Sequence, residues 1–119
     1  MKTFETSNQR KIRTAIIESI EEVIDVPREY WEVKRTAKSN EVMIRQIYIY
    51  LLNKYSKHTL QFIADITGLK NHTTILRNLR SVEGWFESPE ENEEQLSIIN
   101  KTIELYEQRI NNNTEASVG

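Results

Sequence analysis

Apolar residues recur at intervals of three and four along most of this chain, a spacing that places them along one side of an α-helix. The pattern predicts a first helix over 8–25, which Pro27 terminates because a residue before proline is pushed out of the helical conformation. A second helix is predicted over 40–55, with an apolar face broad enough for the central helix of a bundle. Only three glycines and two prolines interrupt the 119 residues, so we expect an all-α fold, a small helical bundle.

The residues between these two helices combine aromatic and basic side chains. We expect 27–31 to form a short helical turn whose Tyr30 and Trp31 pack in the core, with base stacking as the alternative, because aromatic side chains beside a helix break usually pack inside. The polar linker that follows is either a solvated loop or a basic loop that follows a DNA backbone or enters a minor groove. Its basic residues are Lys34, Arg35 and Lys38.

Two short helices joined by a tight turn are predicted over 59–82. Thr59 is a good N-cap for the first, Gly68 supplies a residue that turns at positive φ without a Cβ penalty, and Asn71 is a good N-cap for the second. This outline is typical of a DNA-binding helix-turn-helix, in which the first residues of the second helix meet base edges in the major groove. Residues 71–74 also suit the N-cap and first turn of any helix, and His72 lies at the edge of the apolar run, so a purely structural role is the alternative. That run comprises Ile75, Leu76, Leu79 and Val82.

A long C-terminal helix is predicted to close the bundle. Gly84 suits the end of the preceding helix, and Ser88, Pro89 and Glu91 together form a helix start signal of N-cap, N1 proline and capping-box glutamate. The helix then runs to about residue 109, and its apolar stripe is either a lid on the core or a narrow coiled-coil seam; two heptads favour the lid. The stripe comprises Leu96, Ile99, Ile103, Tyr106 and Ile110. We expect a flexible segment over 1–7, one domain over 8–110 and a disordered tail over 111–119.

The charge is segregated along the chain, although the net charge is only −2. Residues 34–80 contain nine basic and two acidic residues, a net of +7, whereas residues 83–119 contain nine acidic and two basic residues, a net of −7. A basic middle between acidic flanks is expected where one face meets phosphates and the opposite side stays solvated.

Several functional classes find no support in the sequence. Because the chain has no cysteine, it can form neither a disulfide nor a thiolate zinc site. We interpret His58 as a surface residue, and we expect no metal site and no cofactor. No apolar run approaches a membrane span and no signal peptide is recognisable, so we expect a cytoplasmic protein with no membrane partner. No nucleotide-binding P-loop, nucleophile elbow or zinc-protease motif is found, and we expect no enzymatic activity.

The run TLQFIADITGLKNHTTIL, residues 59–76, resembles the signature of the C-terminal DNA-binding domain of the bacterial replication initiator DnaA. Upstream, Arg45 and Gln46 match the family's Arg-Gln pair, and the similarity covers roughly residues 10 to 110. Lys70, Asn71 and Ile75 replace the family's Arg, Asp and Val. The identical positions are Leu60, Ile63, Gly68, His72, Thr73, Thr74 and Leu76.

This resemblance implies a Trp-repressor-like helix-turn-helix and a set of DNA contacts. The family's matching histidine contacts base edges, its basic loop contacts the backbone or minor groove, and Arg45 is expected to reach a phosphate. Because asparagine both donates and accepts, Asn71 would suit adenine where an aspartate suits cytosine. The residues expected to contact DNA are Arg35, Lys38, Arg45, Thr59, Lys70, Asn71, His72, Thr73, Thr74 and Arg77.

The expected function is sequence-specific binding of double-stranded DNA by a stand-alone accessory factor in replication or transcription. The expected origin is a phage or mobile element. The alternative is a protein-interaction module that keeps the fold and binds a partner, such as a replication protein or a second copy, through its acidic last helix. The sequence leaves the DNA site and the oligomeric state open.

Overall fold

The computed structural model describes residues 5–33 and 39–118, and every regular element in that part of the chain is helical. The five α-helices are α1 (Ser7–Ile24), α2 (Ser39–Leu51), α3 (Leu60–Thr67), α4 (His72–Glu87) and α5 (Glu93–Val118). A short 3₁₀ turn (Arg28–Tyr30) follows α1, and a π-helical segment (Leu52–Ser56) continues α2. The structure confirms the all-α helical bundle with a helix-turn-helix and a long C-terminal helix.

Helix α1 begins with a complete capping box. The Thr6 side chain accepts a hydrogen bond from the Gln9 backbone N–H, and the Gln9 side chain accepts one from the Thr6 N–H, each at 3.0 Å. The helix ends at Asp25, which has a left-handed conformation at φ 58°. The predicted helix over 8–25 is therefore confirmed to within one residue at each end.

Helix α2 is the centre of the bundle, as its broad apolar face predicts, and it packs against α1 and α4. Trp31 is fully buried beside it, with its ring edge-on to Tyr48 at 5.2 Å between centroids, and its Nε1–H donates to the Val26 carbonyl oxygen at 3.0 Å. Tyr30 was expected in the core as well, but its side chain is 54% exposed. The 3₁₀ turn points adjacent side chains in different directions, so only one of the two aromatic residues packs inside.

Helix α5 covers the core as a lid. It packs mainly against α1, and Ile99, Thr102 and Tyr106 of its inner face are buried. In the C-terminal half of α5, the Arg109 guanidinium donates hydrogen bonds to the Ser19 hydroxyl and the Glu22 carboxylate of α1. The stripe predicted from the sequence is therefore internal packing, which corrects the alternative of a coiled-coil seam.

The ends of the last two helices differ from the prediction. Helix α4 passes through Gly84 to Glu87, and residues 88–92 form a turn, so the start signal at Ser88 does not begin α5. Half-buried Trp85 packs against the core just after Gly84, and we attribute the continuation of α4 to this packing, which offsets the low helix propensity of glycine. At its other end, α5 continues as helix to Val118, past the end predicted near residue 109 and into the segment expected to be a disordered tail.

A buried polar network joins the N-terminal segment to the end of the π-helical segment. The Glu5 carboxylate accepts two hydrogen bonds from Arg13, at 2.6 and 3.0 Å, and lies 2.8 Å from Nε2 of His58. His58 is 5% exposed, which corrects its assignment as a surface residue, and its other ring nitrogen contacts the Ser56 hydroxyl. The segment expected to be flexible over 1–7 thus includes Glu5, whose carboxylate has partners on α1 and just after the π-helical segment.

The charges in this network perturb one another. The hydrogen bond from Arg13 lowers the pKa of Glu5 to about 2, against the opposing effect of burial. Burial lowers the pKa of His58, although the hydrogen bond to Glu5 acts in the opposite direction. Serine, histidine and glutamate together suggest a hydrolase triad, but these three side chains are buried and Ser56 already donates to the Leu52 carbonyl oxygen at 2.6 Å, so we assign them a structural role.

Candidate nucleic-acid interface

The helix-turn-helix is built from α3, α4 and the turn between them. Thr59 caps α3, and its hydroxyl accepts the Phe62 backbone N–H at 3.1 Å. Ile63 and Ala64 are buried against the core, and α3 packs on α4. Gly68 ends α3 at φ 70°, in the left-handed region that glycine adopts without a Cβ penalty. The predicted cap and turn are both confirmed.

Lys70 also has a left-handed backbone, at φ 67°, although it is not a glycine. For a residue with a Cβ this conformation costs roughly 1–2 kcal/mol. The geometry is held by the Asn71 backbone N–H, which donates to the Leu69 carbonyl oxygen at 2.9 Å. The Lys70 side chain is exposed, directly before the first turn of α4.

Asn71 is the N-cap of α4. Its Oδ1 accepts the Thr74 backbone N–H at 2.9 Å and the Thr74 hydroxyl at 3.0 Å. The side-chain oxygen is therefore already engaged in the cap, and the amide nitrogen is the donor that Asn71 has and an aspartate lacks. Pairing of Asn71 with adenine through both groups stays a prediction, and it requires the oxygen to leave the cap.

One side of α4 is buried and the other is exposed. Ile75 and Val82 are fully buried, whereas Thr73, Arg77 and Arg80 are exposed on the opposite side. Leu76 was expected in the buried run but is 41% exposed and falls between these polar residues in the helical register. The outer face of α4 thus combines two arginines, a hydroxyl and one apolar side chain.

The structure connects His72, the first residue of α4, to α3. His72 is exposed, and its Nε2 lies 3.0 Å from Oε1 of Gln61. Gln61 in turn donates from Nε2 to Oδ1 of Asp65 at 2.8 Å. Neither Gln61 nor Asp65 was among the predicted site residues, although their spacing of four on a predicted helix is a signal that they contact each other.

Three of the residues predicted to contact DNA are not among the described residues of this surface. Arg35 and Lys38 lie outside the described residues. Arg45, expected to reach a phosphate, is 4% exposed, and burial lowers the pKa of its guanidinium. The Arg45 side chain is therefore packed within the bundle, and its contact with a phosphate stays a prediction.

The acidic residues lie mostly on other elements. Those after residue 87 belong to α5 and the turn before it, and α5 packs mainly against α1 rather than against the helix-turn-helix. The remaining predicted site residues lie at the N-terminus of α3, in the turn that follows α3, and in the first two turns of α4: Thr59, Lys70, Asn71, His72, Thr73, Thr74 and Arg77. Among the described residues, no group of three or more acidic, histidine or cysteine side chains is arranged to hold a metal ion. None of the described helices is both long and apolar enough to cross a membrane.

Comparison with known proteins agrees with this geometry. Residues 13–82 match the model of the family described as bacterial dnaA protein helix-turn-helix. The chromosomal replication initiator protein DnaA of Kosmotoga olearia is 32% identical over 83 residues, which are 69% of this chain and 18% of the relative's length. No solved structure gives a significant match. Since the family model spans more than half of the 119 residues and includes α3 and most of α4, the chain belongs to the bacterial DnaA helix-turn-helix family.

Proposed function

We propose that this chain binds double-stranded DNA at a short specific sequence, with the N-terminal turn of α4 in the major groove. The observation that carries the proposal is the outer face of α4, a helix with a capped N-terminus. This face carries exposed polar and basic side chains, whereas Ile75 and Val82 on the opposite face are buried in the core. An α-helix presented in this way fits the major groove of B-DNA. The family of this chain and the name of its relative support the same conclusion.

The side chains divide into two proposed roles. We assign contacts with base edges to His72 and Thr73, which lie in the first turn of α4, and to the amide N–H groups of Asn71 beside them. Arg77 and Arg80 are exposed further along the same face, and we assign phosphate contacts to them. These contacts fix register and orientation, whereas the base contacts carry the sequence information.

Further phosphate contacts are proposed at the edges of this surface. Thr59 lies at the N-terminus of α3, where backbone N–H groups favour an anion, and exposed Lys70 adds a charge before α4. The basic linker with Arg35 and Lys38 is proposed to follow the backbone or enter the minor groove. We propose that the protein acts as a replication or transcription accessory factor, a role that its similarity to a chromosomal replication initiator supports.

Selection from a random duplex pool, followed by titration at several salt concentrations, tests the proposal. We expect enrichment of one short motif and affinity that falls steeply as salt rises. Arg77→Ala should weaken binding to all duplexes and lower the salt slope by about one unit. Lys101→Ala, an exposed basic residue on α5, is the matched control and should leave both unchanged. A pool that shows no enrichment, or an equal effect of both variants, would reject the proposed surface.

A further inference from the structure

Three side chains form a hydrogen-bonded series across the helix-turn-helix, from Asp65 through Gln61 on α3 to His72 on α4. We propose that Gln61 is a positioning residue that holds His72 with its proton on Nε2 and so leaves Nδ1 as a hydrogen-bond acceptor for a base edge. This inference rests on the DNA-binding function proposed above and assigns a chemical preference to one of its contacts.

The direction of each hydrogen bond follows from what each group is able to donate. An ionised carboxylate only accepts, so Asp65 requires the NH₂ group of Gln61 to face it, as the 2.8 Å contact shows. The amide is planar, and its oxygen must then face the other way, toward His72. That oxygen also only accepts, so Nε2 of His72, 3.0 Å away, must carry a proton.

A neutral imidazole has one N–H, and a proton on Nε2 leaves a lone pair on Nδ1. In the major groove, the groups that donate to such an acceptor are the amino groups of adenine (N6) and cytosine (N4). Guanine O6 and N7 and thymine O4 only accept and would face the lone pair unfavourably. His72 held in this state therefore favours an adenine or a cytosine at the base that it meets.

The series also gives α3 a role in base specificity that requires no contact between α3 and a base. Gln61 and His72 are eleven positions apart in sequence, and their contact links the two helices of the motif. It also restricts the rotation of the exposed His72 ring. A side chain ordered before binding loses less conformational entropy on forming its base contact. Removing Gln61 should therefore reduce discrimination between bases more than it reduces general affinity for DNA.

Two measurements test the inference, and the first needs no DNA. At pH 8, ¹⁵N spectra of the imidazole should show His72 protonated on Nε2 in the wild type. Gln61→Met keeps the length of the side chain but forms no such hydrogen bond, and it should allow a second population protonated on Nδ1. Asp65→Asn should do the same, because an amide at position 65 tolerates either orientation of Gln61. A wild-type His72 protonated on Nδ1 would overturn the inference.

The second measurement is binding to the duplex selected by the wild type and to its single-base-pair variants. Gln61→Met should lower the preference at one base pair by about two- to tenfold, the value of a single hydrogen bond, and leave binding to unrelated duplex unchanged. In a His72→Ala background the same substitution should have no further effect. Gln108→Met, an exposed position on α5, is the matched control and should change nothing.

The outcomes separate this inference from the proposed function. If Gln61→Met weakens binding to every duplex equally, or acts as strongly without His72, then Gln61 contacts DNA or only supports the fold, and the positioning role is wrong. If the wild type selects no sequence at all, the proposed function fails and the base preference of His72 fails with it. A selected site with guanine or thymine at the His72 position contradicts the inference while the proposed function stands.

Discussion

Replacing Glu5 with glutamine tests whether the buried network at the N-terminus stabilises the fold. The Glu5 carboxylate is 6% exposed and has Arg13 and His58 as hydrogen-bond partners. The variant keeps the size of the side chain but replaces one oxygen with an NH₂ group. This group is a hydrogen-bond donor, and it would face the N–H donors of Arg13 and His58. The variant therefore leaves the half-buried guanidinium of Arg13 and the buried imidazole of His58 without their anion.

The magnitude follows from the pKa of Glu5, which is about 2 instead of its ordinary 4.5. A difference of that size corresponds to at most about 3.4 kcal/mol of stability at neutral pH. Solvent at the edge of the network screens part of this, so we expect a loss of about 2 kcal/mol for Glu5→Gln. Because the pKa is lowered on folding, the contribution is complete above about pH 5 and is lost as the pH falls toward 2.

Urea unfolding of wild type and variant at pH 7, 5 and 3.5 measures the effect. At pH 7 the midpoint of Glu5→Gln should be about 1 M lower with an unchanged m-value. The gap between the two proteins should narrow as the pH falls from 5 to 3.5, because Glu5 takes up a proton in the unfolded wild-type chain while it stays ionised in the folded protein. Glu18→Gln, an exposed glutamate on α1, should differ from wild type by less than about 0.5 kcal/mol at every pH. A gap that is equal at pH 7 and pH 3.5 would refute the electrostatic explanation.

Three further predictions concern the stability of individual helices. Ile99→Ala should cost roughly 2–4 kcal/mol in thermal or urea unfolding, because Ile99 is fully buried under the α5 lid; a loss of self-association with unchanged stability would contradict this packing. Gly84→Ala should raise stability by about 0.5–1 kcal/mol, since α4 is helical there and a Cβ would meet nothing within 4 Å; a lower melting temperature would show that the space is used. Asn71→Ala should lower stability by about 0.5–2 kcal/mol, whereas Asn71→Asp should change it by a few tenths, because aspartate caps almost equally well; equal losses in both variants would reject the cap.

The sequence by itself determined the features that depend on neighbours within four residues. Thr59 and Asn71 cap their helices and Gly68 takes the left-handed conformation, because each role depends on a nearby backbone group or on a single φ angle. The apolar spacing likewise located all five helices, since a stripe at intervals of three and four is set by the geometry of one helix. The motif over 59–76 identified the family for the same reason, because its residues lie in one continuous stretch.

The tertiary structure decided which polar residues are buried and which contact one another. Local spacing predicts neither the burial of His58 nor that of Arg45, yet both are buried once the helices pack together. The contact between Gln61 and His72 exists only once α3 and α4 cross, and the contact between Glu5 and His58 joins residues 53 positions apart. Burial and long-range hydrogen bonds depend on how helix faces meet, so they arise from packing rather than from the spacing within any one helix.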